Sequence, residues 1–141
     1  MNLPDVNVLI YALRKGQPHH AKSRAWLEST VNGDSAFGLS RQVLSAVVRL
    51  MTNARIYRPP ETVATAFAYC NWLTARSNCV VLEPGPRHWS IFEQLCVDTN
   101  TRGPRVTDAW LAALAIEHGC EWITFDRDYA RFPGLKWSVP G

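Results

Sequence analysis

The chain has 141 residues, 47% of them hydrophobic, and a formal net charge of +3. That length suits one domain with a sizeable core, and the apolar share argues against disorder. No apolar run is long enough to cross a bilayer and no basic-then-apolar leader opens the chain, so the expectation is a soluble, cytoplasmic protein with no membrane association.

A charge of +3 is too small to identify a nucleic-acid binder. Its make-up says more, because 12 of the 15 basic residues are arginine, whose planar fork of donors fits phosphate. Cys70, Cys79, Cys96 and Cys120 show no paired or Cys/His ligand spacing and read as reduced thiols in or near the core. The four histidines show no ligand spacing either. No glycine-rich phosphate loop, dinucleotide fingerprint or Ser/His/Asp order is present.

In chain order, Met1 to Asp5 reads as a first strand, with Pro4 an awkward member because it cannot donate to a ladder. Asn7 is placed to cap a helix from Val8 to Arg14. After Gly16 and Pro18, a second helix runs from His20 to Ser29, with Ala25, Trp26 and Leu27 as its apolar surface. Ala36 to Leu39 is a short strand. Ser40 caps a helix to about Asn53, in which Val43, Val47 and Leu50 recur at helical spacing. Pro59 and Pro60 break the chain, and Pro60 or Glu61 opens a long helix to about Ser77. Cys79 to Leu82 is an unbroken apolar run, the kind buried on both faces of a parallel sheet. Beyond the Pro84-Gly85-Pro86 turn, His88 to Asp98 is helical. Thr107 caps a helix to His118, and Gly119 sits where a left-handed stop is expected. Glu121 to Phe125 is a strand, Arg127 to Phe132 a turn or two of helix, and Leu135 to Val139 a last strand.

Strands alternating with helices, with no linker or repeat, predict one α/β domain over residues 1–141 with a mostly parallel sheet. Sites in such sheets form beyond the carboxyl ends of the strands. Asp5 ends the first strand, Asp126 follows the strand at 121–125, and Asp108 opens a helix that begins on that same edge. Asp108 also shares a face with Leu111, Ala112 and Ala115, at spacings of three, four and seven residues. Each acid alone has an ordinary explanation as a helix cap or dipole partner. Together they suggest a hard-oxygen site, where packed carboxylates repel one another unless a divalent cation, magnesium or manganese, is bound.

Three segments carry a family resemblance. LPDVNVLIYALR looks like the first strand and helix of a PIN domain. FGLSRQVLSAVVRLMTNARIY resembles the second block of VapC-type toxins, and VTDAWLAALAIEHGCEWITFDRDYARFPGLKW resembles their C-terminal block. The resemblance covers nearly the whole chain in the expected order. It implies a PIN-like α/β/α sandwich and a magnesium-dependent ribonuclease, with manganese as the other candidate metal. It also implies a toxin of a type II pair that cleaves cellular RNA, is neutralised by a small VapB-like antitoxin, and forms a homodimer. On this resemblance Asp5, Asp108 and Asp126 take the catalytic and metal-site positions, and Asp128 matches an accessory acid. Ala46, three residues before Arg49, stands where the common family pattern has a glutamate. The site therefore has one carboxylate fewer, to be made up by water ligands or by Asp128.

Arg49, Arg105 and Arg127 lie near these blocks and are the candidate RNA-binding residues. Trp110, just after Asp108, is a candidate stacking platform for a base or a packing residue. The helix from Glu61 to Arg76 carries Val63, Phe67, Trp72 and Leu73, enough for a core face and an interface. Two other classes compete: a PIN-like module that binds RNA or an antitoxin without cleaving, and a small-molecule phosphatase, for which the expected lysine or threonine motif beside the acids is missing.

Overall fold

A computed structural model describes residues 1–141. Five strands form one sheet: β1 (Asn2–Pro4), β2 (Phe37–Ser40), β3 (Cys79–Leu82), β4 (Glu121–Ile123) and β5 (Trp137–Ser138). Their order is β3-β2-β1-β4-β5 and every pairing is parallel. Six α-helices flank it: α1 (Val6–Leu13), α2 (His20–Val31), α3 (Arg41–Met51), α4 (Val63–Thr74), α5 (His88–Thr99) and α6 (Val106–Glu117). The expected α/β class with a parallel sheet is found. No helix is long and apolar enough to cross a membrane.

The core forms where these layers meet. Leu3, Phe37, Leu39 and Trp122 on the three inner strands are almost completely buried. Val43, Val47 and Met51, four residues apart, make one buried stripe on α3. In α6 every residue from Leu111 to Ala115 is buried, and the run of alanines allows a helix to sit deep among its neighbours. Each large side chain of this kind contributes roughly 1.5–3 kcal/mol through removal from water.

Several boundaries differ from the expectations, each for a local reason. Helix α1 starts at Val6, because Asp5 and not Asn7 is its N-cap: the Asp5 carboxylate accepts from the Val6 N–H at 2.7 Å. Thr107 does not cap α6. A short 3-10 turn at Gly103–Arg105 runs straight into that helix, so Thr107 is its second residue. Helix α4 begins only at Val63, where the Thr62 hydroxyl accepts from the Thr65 N–H. The strand at Cys79–Leu82 is not buried on both faces. It lies at the edge of the sheet, and Val80 is 40% exposed. Ala25 is exposed as well, leaving Leu27 and Ser23 as the buried residues of α2.

Pro4 is accommodated by register. Successive N–H groups in a strand point to alternate sides. Asp5 donates to the Ile123 carbonyl on β4 at 2.8 Å, so the Pro4 nitrogen faces β2, where pairing has already ended at Asn2 and Phe37. Gly119 has φ +65°, the left-handed conformation expected just beyond α6.

Candidate active site

All five strands run the same way, so their carboxyl ends share one edge. Asp5 leaves β1 there, Thr124 and Asp126 leave β4 there, and α6 begins there with Asp108 in its first turn. The three acids line a single pocket of about 530 Å³, with Ser45, Ala46 and Arg49 of α3 on another wall.

Asp5 is the most constrained of the three, at 5% exposure. One carboxylate oxygen accepts from the Val6 N–H. The other accepts from the Thr124 hydroxyl at 2.7 Å and, at 3.4 Å, from the Asn7 amide. Burial pushes its pKa from an ordinary 3.8 up to about 6, against the pull of the Thr124 and Val6 hydrogen bonds, with Asp108 and Asp126 adding repulsion. Asp108 is less buried. Its Oδ1 accepts from the Tyr129 hydroxyl at 3.3 Å, and Oδ2 lies 3.8 Å from the Arg131 guanidinium. Its carboxyl is also raised, by burial first and then by Asp126. Tyr129 is itself buried. That burial, with the Asp5 and Asp108 carboxylates beside it, pushes its phenol well up, so it remains a donor.

Thr124 ties the pocket floor together. Its fully buried hydroxyl donates to Asp5 and accepts from the Asp126 N–H at 3.0 Å and the Asn7 amide at 3.3 Å. The Asn7 side-chain carbonyl in turn accepts from the Phe125 N–H. Asp126 uses Oδ1 to accept from the Asp128 N–H, capping the 3-10 turn Arg127–Arg131.

The PIN domain matches residues 3–135 of this sequence. The chain belongs to the PIN-domain family. Relatives of nearly the same length place it among the VapC members. It is 40% identical to the VapC ribonuclease Mb2897 of Mycobacterium bovis over 96% of this chain and 92% of that protein. It is 39% identical to ribonuclease VapC33 of Mycobacterium tuberculosis, over 99% and 98%. In fold it is similar to the structure of VapBC2 from Rickettsia felis bound to a promoter DNA fragment. The TM-score there is 0.74 at 14% identity, covering 99% of this chain and 98% of that one. It is also similar to Mycobacterium tuberculosis VapC20, a Sarcin-Ricin loop cleaving toxin, with a TM-score of 0.69 at 15% identity, over 96% and 99%.

Within this PIN domain the fold brings Asp5, Asp108 and Asp126 to one pocket, and Arg49 reaches its rim. No three His, Cys, Asp or Glu side chains are drawn together tightly enough to form a ready ligand cluster. Asp128 does not line the pocket. The 3-10 turn carries it outward, where it pairs with Arg105 at 2.8 Å, so it does not fill the gap left by Ala46. Arg127 is exposed and lies outside the pocket. Trp110 packs inward: its ring sits 4.4 Å from that of His88 on α5, whose Nε2 donates to the Trp110 carbonyl. Four residues were not read from the sequence as part of the site: Thr124, Tyr129, Arg131 and Asn7, the last expected only as a helix cap. Asn7 and Thr124 flank the acids at two positions' distance, which was the available signal. Nothing local marked Tyr129 or Arg131.

Proposed function

We propose that this protein is a metal-dependent endoribonuclease, the toxin of a type II pair, cleaving cellular RNA and neutralised by a cognate VapB-like antitoxin. The observation that carries the reading is the convergence of Asp5, Asp108 and Asp126 on one open pocket. Membership among the VapC proteins supports it.

The donor set fits magnesium or manganese. Burial and mutual repulsion leave Asp5 and Asp108 with an unmet demand for positive charge. Magnesium takes one or two carboxylates and keeps several waters, so three acids need not close around it. Asp5 and Asp108 would hold the ion, with Asp126 reaching it directly or through water. Such an ion, when bound, eases deprotonation of water and offsets charge on a phosphate.

The chain's own groups prepare that chemistry. Val6 N–H and the Thr124 hydroxyl fix the Asp5 carboxylate, and Tyr129 fixes Asp108. Asp126 keeps Oδ2 clear of the cap that occupies its Oδ1, and this oxygen takes the proton of the attacking water. Arg49, Arg105 and Arg127 are the cationic contacts offered to RNA phosphates.

Asp5→Asn is expected to abolish magnesium-dependent RNA cleavage, a loss of at least about a hundredfold, while the fold persists. Undiminished cleavage by that variant overturns the assignment. A second reading rests on Ala46, which lines the pocket without a carboxylate: a module that binds RNA or antitoxin without cutting. RNA bound but left intact by the wild-type protein, with magnesium or manganese and with EDTA alike, selects it.

The exposed Val63, Phe67 and Trp72 on α4 support a homodimer. A light-scattering mass of two chains is expected at micromolar concentration, and a mass of one chain argues against it.

A further inference from the structure

Beside the acidic pocket lies a second cavity of about 480 Å³, and none of its lining residues is hydrophobic. Three arginines, Arg102, Arg105 and Arg131, face it together with Asp128 and the hydroxyl residues Thr99 and Thr101. Three guanidinium groups against one carboxylate make this wall strongly cationic, next to a pocket whose own acids repel phosphate until a cation is bound.

The two cavities share their walls. The turn at 103–105 and the start of α6 supply Pro104, Thr107 and Asp108 to the acidic side and Arg105 to the basic side. The 3-10 turn supplies Tyr129 to the first and Asp128 and Arg131 to the second. Arg131 bridges them: Nη1 donates to the Asp128 carbonyl at 3.2 Å, Nη2 lies 3.8 Å from Asp108, and the guanidinium stacks 4.3 Å above the Phe132 ring. One hydrogen bond and the stacked ring position this cation, while its second terminal nitrogen has no hydrogen-bond partner.

The other two arginines have donors to spare. Arg102 forms no ion pair, and its Nε donates to the Asn100 side chain at 3.3 Å, leaving both terminal nitrogens free. Arg105 spends one of its five N–H groups on Asp128, in a pair more than half exposed on both sides. An ion pair in that setting is worth little and yields readily to a better anion.

We propose that this basic cavity is a subsite for a phosphate of the RNA backbone neighbouring the one at the acidic pocket, held by Arg102 and Arg105 with Arg131 as the fixed cation. The proposal rests on the reading of RNA as substrate and deepens it. The cavity gives the strand a second anchor, which sets the direction in which RNA crosses the acids. An acidic segment of a protein partner is the competing occupant. It is disfavoured because no hydrophobic side chain lines the cavity to pack against a peptide.

The test is binding, in EDTA so that no cleavage intrudes. A fluorescein-labelled single-stranded RNA of mixed sequence is titrated with the wild type and with the double variant Arg102→Ala, Arg105→Ala across a salt series. Loss of one phosphate contact flattens the plot of log affinity against log salt by about 0.7. That flattening is expected of the double variant, and an unchanged slope is expected of Arg55→Ala, an exposed arginine lining neither cavity. A double variant with the wild-type slope overturns the subsite, as does an equal flattening in Arg55→Ala, which would mean diffuse surface charge. The cleavage reading is scored apart, by adding magnesium to the wild type. RNA bound with the expected slope but never cut leaves the subsite standing and removes the nuclease.

Discussion

Asp5 and Asp128 are both aspartates at the carboxyl edge of one sheet, yet they occupy opposite surroundings. Asp5 is 5% exposed, accepts hydrogen bonds from Val6 and Thr124, and is pushed up to about 6. Asp128 is 57% exposed and satisfied by one arginine on the rim. The contrast teaches which acid the fold bears at a cost. A buried carboxylate opposes folding unless something repays its desolvation, whereas an exposed ion pair is close to neutral. The donors around Asp5 offset part of that cost, and a bound cation is the natural source of the rest.

The largest effect expected from breaking this contrast is on folding. Asp5 releases its proton in the unfolded chain near 3.8 and in the folded one near 6. Stability therefore falls as pH rises through that window, and the full cost, on the order of 3 kcal/mol, is present above it. Asp5→Asn removes the ionisation. In EDTA at neutral pH it should melt higher than the wild type, by less than the full cost because a hydrogen bond is perturbed, and below pH 3.8, where only that perturbation remains, the advantage should vanish or reverse. Thermal melts across pH check this, and equal melting of the two proteins at neutral pH would contradict it.

A smaller effect is expected from Thr124→Val, which keeps the shape but removes the hydroxyl shared by Asp5, Asn7 and the Asp126 N–H. Leaving those groups unpaired should cost about 1–3 kcal/mol in urea unfolding and lower metal-dependent cleavage alongside it. Wild-type stability in that variant would mean that the hydroxyl holds nothing. The smallest effect belongs to Asp128→Asn. Loss of its pair with Arg105 should change stability by less than about 1 kcal/mol. A large destabilisation would show that the rim is as tightly built as the floor, and the contrast would disappear.

Much of the fold was legible from the order of short apolar runs and helical stripes. Val43 and Val47 marked α3, and Ser40 marked its start. The site acids were legible for the same reason: each follows a strand or opens a helix on a shared edge. Capping was misread at both ends of the site, because Asp5 and Asn7 compete for one role and only the backbone entering α1 decides between them. The unbroken apolar run Cys79–Leu82 looked central because local sequence does not say which neighbours a strand acquires. Tyr129 and Arg131 were invisible as site residues, since their partner Asp108 lies more than twenty positions away.

By itself the amino-acid order determined the α/β alternation, the family, and the placing of Asp5, Asp108 and Asp126 at element ends, because periodicity and punctuation are local properties. Only the tertiary structure decided which acid is buried and which pairs outward, that Thr124 joins the floor, and that three arginines gather beside the acids. Those depend on contacts between segments far apart in the chain, and no local pattern encodes them.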